Sequence, residues 1–419
     1  MVGRESGATM VTAATQGYDA VIVGAGPGGS AAAITLARAG LRVALLDRQA
    51  FPRTKPCGDL IGCGGVALAR ALGVNIGDLG AYAPLRGAVV LAPDAASLVL
   101  TARPHPSRDA RVVPRHVFDT ALVRAAERAG ADFVRLHVRD LVRDSAGCVI
   151  GVRGEGDDGP AMLTARAVIG ADGYGSRIAR AVRGDETMRA GQAGRAGRVG
   201  QVGQAGQVGV ALRAYAENVR VPEAWRGCLV FAYERHTAPG YGWMMPLPDG
   251  GANLGIGTLV PADKGGNADA AHLRDLFARF LDGSPWLAGA TVTHEWPPRS
   301  WPLALGPRSG PLVADGVLLV GEAASLVGPM TGAGIYPALQ SGVWAGETLI
   351  RALIANSVSR TALLPYERRV RRRFAPQHAA EAVAQRILAD PRRLRRIANL
   401  ARSFPFAGPL GASLLLHLG

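Results

Sequence analysis

Residues 19–47 read DAVIVGAGPGGSAAAITLARAGLRVALLD. The apolar run Ala20–Val23 has the length and composition of a buried strand. It ends in Gly24-Ala25-Gly26-Pro27-Gly28-Gly29, and a helix of small residues follows as far as Gly40. A second apolar strand then closes on Asp47. Strand, glycine turn, helix and strand make a complete βαβ unit. Gly24 permits the tight turn, Gly26 lets the backbone approach a pyrophosphate, and Gly29 lets the helix pack on the sheet. The helix N-terminus favours phosphate charge. Asp47, followed by Arg48, stands where a carboxylate accepts ribose hydroxyls. The unit predicts a dinucleotide site, with Pro27 and Gly28 in its wall, and leaves FAD and NAD(P) both open.

Two later stretches decide between them. AVIGADGYGSRIAR (167–180) is an apolar strand ending in Ala171-Asp172-Gly173, then a turn and a helix. DGVLLVGEAASLVGPMTGAGIYPALQSG (315–342) is another strand, ending in Gly321-Glu322. A loop with Pro329, Gly332, Ala333 and Gly334 follows it and feeds a helix at Ile335. With the N-terminal unit these motifs resemble the flavoprotein fold of p-hydroxybenzoate hydroxylase type. The resemblance implies FAD. It also implies an acid at position 322 that binds ribityl or ribose hydroxyls; here that acid is Glu, one methylene longer than the family's Asp. The Gly332–Ile335 backbone is implied to lie against the flavin, with N–H groups that stabilise charge on it. Arg115, in RHVFDTALVRAAERAGA, matches a family arginine that contacts the cofactor, and the same stretch reads as an amphipathic helix with Phe118, Leu122 and Ala125 inward. No second strand–GxGxxG–helix unit is present in the sequence. NAD(P)H as reductant is therefore expected to visit transiently, and a separate electron-donor protein is equally compatible.

Two more segments narrow the family. FPRTKPCGD (51–59) holds Lys55-x-Cys57-Gly58, and YGWMMPLPDGGANLGIG (241–257) holds Tyr241-x-Trp243-x-x-Pro246 followed by Gly255-x-Gly257. Together with the flavin motifs they resemble the geranylgeranyl reductase family over roughly residues 18–345. The family commonly has Phe where this chain has Met245. The resemblance implies a slot for a long prenyl chain beside the flavin. Trp supplies a broad apolar wall, and methionine adapts to an irregular chain. Tyr241, Trp243, Met244, Met245, Met330 and Tyr336 are candidates for that slot, although Met and Trp at this spacing also fill ordinary cores. Reducing an alkene needs a proton as well as a hydride. A thiol, with an ordinary pKa of about 8.5, stays protonated at neutral pH, and the resemblance implies a mechanistic cysteine at Cys57. Lys55 reads as a partner for a substrate phosphate or as a solvated side chain.

Composition bounds the rest. The 419 residues carry a net charge of +14, with Lys55 and Lys264 the only lysines. No basic cluster interleaves with aromatics, which argues against nucleic acid; an anionic substrate or membrane surface is a better use of the charge. The four cysteines form no CxxC pair and no Cys/His set has zinc spacing, so the expectation is a reduced, cytoplasmic protein without a metal. The N-terminus lacks the pattern of a signal peptide.

The expected fold class is α/β: a Rossmann-type FAD-binding domain, an inserted mostly antiparallel β-sheet substrate domain, and a C-terminal helical segment. Residues 1–17 read as a disordered leader. Residues 18–75, 105–185 and 306–358 form the discontinuous FAD-binding domain. Residues 76–104 and 210–305, which alternate apolar and polar, form the substrate domain. Residues 186–209 carry a Gly/Gln/Arg repeat too poor in apolar residues to pack and read as a flexible insertion. Residues 359–419 read as a helical cap, arginine-rich and apolar at its end, able to contact an anionic inner membrane surface peripherally. The functional expectation is FAD-dependent reduction of C=C bonds in a hydrophobic, prenyl-type substrate or specialised metabolite. The alternatives are a monooxygenase or hydroxylase of the same fold, a halogenase (disfavoured by Tyr241 and Met245, where those enzymes have Trp and Ile), and a maturation or non-catalytic flavoprotein.

Overall fold

The computed structural model describes residues 17–402 except 56, 81–83, 93–96, 102–108, 185–206, 235–236, 238–239, 249, 261–269 and 307–309. The expected leader up to residue 16, most of the Gly/Gln/Arg repeat and the apolar end after residue 402 lie outside the described residues.

The floor of the molecule is a sheet built on the N-terminal unit. Strand β1 (Tyr18–Val23) pairs in parallel with β2 (Val43–Asp47) on one side and β9 (Gly159–Gly170) on the other. Strand β7 (Asp132–Arg143) joins β2 through its first residues, then runs on to pair antiparallel with β8 (Val149–Gly156), which returns to the start of β9. Short strands β15 (Val313–Ala314) and β16 (Val317–Leu319) complete the edge, β16 parallel to β9. Parallel strands covered on both faces read as continuous apolar runs rather than alternating ones, and Ala20, Val21 and Ile22 are fully buried.

Helix α1 (Pro27–Arg38) has proline in its first turn, where no N–H is needed. It packs between the sheet and two later helices, α3 (Arg115–Arg128) and α6 (Ile335–Ile354). The approach of α6 to α1 is close enough to require glycine. A Cβ at Gly342 would lie 2.2 Å from the Gly28 carbonyl oxygen, and one at Gly346 would lie 2.8 Å from the Thr35 side chain. This contact brings the N-terminus of α6 beside the glycine turn. Two short helices, α2 (Cys63–Ala71) and α4 (Arg177–Arg183), flank the same region.

The roof is a second sheet, ordered β14-β10-β13-β12-β11-β4-β5. Its strands are β4 (Gly87–Leu91), β5 (Ser97–Thr101), β10 (Gln207–Glu217), β11 (Cys228–Ala232), β12 (Tyr241–Pro246), β13 (Ala252–Val260) and β14 (Thr291–Leu305). Every pairing is antiparallel except β4–β11. Helix α5 (Ala270–Asp282) covers its outer face with Leu273, Leu276, Phe277 and Phe280. A two-stranded ladder, β3 (Leu60–Ile61) with β6 (Arg111–Val112), closes the seam near residue 60.

The C-terminal helix α7 (Arg360–Leu388) fastens the floor, and α8 (Pro391–Arg402) after it packs against β5 of the roof. Tyr366 Oη donates to the Leu319 carbonyl at 2.5 Å, and Glu367 accepts from the Leu312 N–H at 3.0 Å. These two bonds hold β16 and the Gly321-Glu322 turn that follows it. The fold is thus the expected mixed α/β arrangement, with the helical segment doing more than capping.

Candidate active site

Each glycine of the N-terminal turn has a distinct steric reason. Gly24 has φ +106°, and a Cβ there would lie 2.3 Å from the Ala171 carbonyl oxygen. A Cβ at Gly29 would lie 1.9 Å from the Gly24 carbonyl oxygen. At Gly26 it would meet only an Arg53 nitrogen, 3.7 Å away, so this backbone faces an open groove. Asp47 accepts from the Ala25 N–H at 3.2 Å and from the Gln49 N–H at 3.0 Å, and lies 3.4 Å from Arg53. Arg48 is exposed beside it.

The groove is one of two clefts that meet inside the molecule. The floor cleft has about 640 Å³ of empty volume, part of it open to solvent, and is lined by Gly26, Pro27, Gly28, Lys55, Arg115 and Glu322, among others. The roof cleft has about 1290 Å³, part of it open to solvent, and is walled by Tyr241, Trp243, Met245, Phe231 and Trp301. Five residues line both: Cys57, Leu303, Gly332, Gly334 and Ile335. Gly334 caps α6, whose first N–H groups have no acceptor within the helix. Gly332 (φ +65°) and Ala333 are tied down within the loop, Gly332 N–H to the Gly328 carbonyl at 3.0 Å and Ala333 N–H to Thr331 Oγ1 at 3.2 Å.

Strand alternation sorts the aromatic segment. Tyr241, Trp243 and Met245 project into the roof cleft, while Met244 projects the other way into the core under α5. Met244, a sequence candidate for the slot, is therefore a core residue. Tyr336 is also outside it: its ring packs on Gly64 and against Phe374. Met330 and Pro329 line the roof cleft, but Pro246, at the end of β12, does not. The glycines of β13 have a reason as well. A Cβ at Gly255 would lie 2.2 Å from the Trp243 ring, so glycine lets that ring lie flat on its neighbour strand. Burial raises the Tyr241 phenol well above its ordinary value, and Tyr233 in the same wall is pushed up to about 12. Both phenols stay protonated through the neutral range.

The loop carrying Cys57 rests on a buried polar network invisible in the sequence. Asp59 is fully buried and accepts from Tyr215 Oη at 2.8 Å, Asn253 Nδ2 at 2.8 Å and the Arg115 N–H at 3.1 Å. Asn253 also donates to the Cys57 carbonyl at 3.3 Å and accepts from Trp243 Nε1 at 2.8 Å. Burial raises the Asp59 carboxyl above its ordinary value; Arg213 and the three donors oppose that. Gly58 lies under the Met245 thioether, where a Cβ would come within 2.7 Å of the Met245 methyl and push that side chain aside.

Arg115 is buried and holds Asp119 with two bonds, at 2.8 and 2.7 Å. Burial alone would lower its pKa, but Asp119, Cys57 and Asp59 outweigh it and hold the guanidinium charged. Asp172, by contrast, is engaged at the start of α4. It accepts from Ser176 Oγ at 2.5 Å and from the Arg177 N–H at 2.8 Å, while Gly173 lines the floor cleft. Lys55, read from the sequence as a substrate contact, lies in the floor cleft instead, its Nζ 3.2 Å from Glu322 Oε2. Glu322 Oε1 is buried with no hydrogen-bond partner among the described residues. None of the four cysteines is in a disulfide, and Cys63 and Cys228 are buried and Cys148 exposed.

These residues fit FAD. The groove at Gly26 is open where a pyrophosphate approaches the backbone, and a buried carboxylate oxygen waits for a hydroxyl. Leaving such an oxygen unpaired costs about 1–3 kcal/mol, which a ribityl or ribose hydroxyl would relieve.

Comparison with known proteins agrees. Residues 17–228 match the FAD binding domain family. The chain is 30% identical over 369 residues to the digeranylgeranylglycerophospholipid reductase of Methanothrix thermoacetophila, covering 86% of this chain and 85% of that one. It is 34% identical over 351 residues to the menaquinone reductase of Mycolicibacterium smegmatis, covering 79% and 76%. Among solved structures, a geranylgeranyl bacteriochlorophyll reductase-like protein of Thermoplasma acidophilum superposes with TM-score 0.73 at 25% identity, covering 91% and 90%. The myxobacterial chondrochloren halogenase superposes with TM-score 0.72 at 24% identity over 96% of each chain, a likeness of fold alone. Fold, motifs and relatives converge: the chain belongs to the geranylgeranyl reductase family of FAD-dependent oxidoreductases, in the p-hydroxybenzoate hydroxylase-type fold.

Proposed function

We propose that the protein reduces carbon–carbon double bonds of a prenyl-type chain held in the roof cleft. The observation that carries this is the shared wall: Cys57 lines both the aromatic, methionine-lined cleft and the floor cleft. FAD held by the Gly26 backbone, Arg115 and Glu322 in the floor cleft would supply hydride-transfer chemistry. Tyr241, Trp243 and Met245 hold the apolar chain and keep water from it. Cys57 is the proton donor of this reading, and Asn253 and Asp59 fix its loop. NAD(P)H or an electron-donor protein restores the reducing equivalents by a transient visit. The oxygen-dependent alternative has the shared fold behind it and nothing in the lining. The test is anaerobic incubation of reduced protein with polyprenyl lipids and polyprenyl quinones. Product gaining two hydrogens supports the reductase; turnover only on admitting oxygen, with product gaining one oxygen atom, refutes it.

Peripheral contact with an anionic membrane belongs to the same reading. No described helix is long and apolar enough to cross a bilayer. Supporting a surface contact, α8 buries Leu394 beside Tyr233 at the rim of the roof cleft. The same helix turns Ile397, Leu400, Arg392 and Arg393 outward. An apolar ridge among arginines suits an anionic interface. Sedimentation with anionic vesicles, and its loss in Leu400→Asp, is the expected result; equal binding to zwitterionic vesicles would refute the electrostatic part.

A further inference from the structure

The two oxygens of Glu322 have different surroundings, and that difference links the cofactor groove to the Cys57 loop. Oε2 pairs with Lys55 Nζ at 3.2 Å, and Oε1 is buried, unpartnered among the described residues, in the wall of the floor cleft. Glu322 belongs to the floor, on the turn after β16. Lys55 belongs to the loop two residues before Cys57. Beyond Lys55 that loop is fastened to the roof. Lys55's carbonyl accepts from Arg213 at 3.4 Å, Cys57's from Asn253 at 3.3 Å, and Asp59 is held by Tyr215 and Asn253, with the Arg115 N–H of floor helix α3 as its third donor. Before Lys55, Arg53 reaches the floor acids Asp47 and Asp119. The Lys55–Glu322 pair is thus the floor contact of the chain entering Cys57, as the Arg115 N–H on Asp59 is that of the chain leaving it.

The extra methylene of glutamate matters here. Shortening the side chain by one bond would withdraw the carboxylate by about 1.5 Å. The pair, at 3.2 Å now, would then be held only by extending the Lys55 side chain further.

We propose that Lys55 is a positioning residue: the Lys55–Glu322 pair is a latch that couples occupancy of the cofactor groove to the order of the Cys57 loop. A cofactor hydroxyl donating to Oε1 fixes the Glu322 carboxylate. The fixed carboxylate holds Lys55 through Oε2, and Lys55 holds the chain entering Cys57. This rests on the assignment of FAD to the floor cleft, not on the identity of the substrate or on a proton step at Cys57.

The test is amide hydrogen exchange of the full chain, with and without saturating FAD, read in peptides covering residues 18–34 and 51–61. In the unaltered protein FAD protects both. In Lys55→Met the first peptide keeps its protection, because the glycine turn still binds cofactor, while the second loses most of it. Lys55→Arg restores it, and Glu322→Asp loses part of it. FAD affinity, from quenching of flavin fluorescence, falls by no more than about tenfold in Lys55→Met, the scale of one partly exposed ion pair. FAD-dependent protection of 51–61 persisting in Lys55→Met overturns the latch. Complete loss of FAD binding also overturns it, by making Lys55 a cofactor ligand. Neither result bears on whether the protein reduces prenyl chains, since no substrate is present.

Discussion

Tyr241 Oη donates to the Thr331 carbonyl at 2.7 Å, joining the roof strand β12 to the floor loop that precedes α6. Both residues line the roof cleft. In Tyr241→Phe the Thr331 carbonyl loses this donor in a buried setting. A stability loss of about 1–2 kcal/mol is expected, measurable by urea unfolding of the holoprotein. Because burial holds the phenol protonated well above its ordinary range, no alkaline limb of activity is expected to disappear in this variant.

Adjacent methionines test which face of β12 meets substrate. Met244 is buried under α5, so Met244→Ala is expected to cost about 2–5 kcal/mol of stability and leave the order of substrate preference unchanged. Met245 lines the roof cleft over Gly58. Met245→Ala is expected to shift KM among polyprenyl substrates of different length while kcat changes less. A reversed pattern would place the slot on the other side of the sheet.

His378 predicts an acid limb of stability. Burial lowers its pKa below the ordinary imidazole value; Glu381 and a backbone bond oppose this. The unfolded chain therefore binds more protons than the folded one just below about pH 6.5, and stability falls as pH drops through that window. The slope from this one group is at most about 1.4 kcal/mol per pH unit. His378→Leu is expected to flatten the loss between neutral and mildly acid pH, read from thermal midpoints. An unchanged pH profile would mean that another group sets it.

Removing the Cys57 thiol separates binding from turnover. Cys57→Ala is expected to retain FAD and its absorbance spectrum but to reduce turnover by about 10²–10⁴-fold, the usual scale for a positioned proton donor. Turnover within a few-fold of the unaltered protein would assign the proton to water.

The parts legible in the sequence were those whose signal is local. The glycine turn and its two strands declare themselves within one βαβ unit, and Cys57 and Tyr241 stand in short segments with family resemblance. The orientations of Met244 and Tyr336 are not legible in the sequence, because they depend on register. Strand alternation turns Met244 away, and helix α6 aims Tyr336 at α2. Asp59, Asn253, Tyr215 and Arg213 were not found at all. Their burial exists only once β10 and β13 cross the Cys57 loop. The one local hint was an acid directly after Gly58. Glu322 was noted for its length, but its partner Lys55 is 267 residues away in sequence.

The most direct measurement is anaerobic mixing of the reduced FAD-loaded protein with a polyprenyl substrate, following flavin absorbance and the mass of the lipid together. The account predicts that the flavin is reoxidised without oxygen and that the lipid gains two hydrogens at an isoprene unit. Flavin that stays reduced until oxygen is admitted, with a lipid that then gains an oxygen atom or does not change, would contradict it.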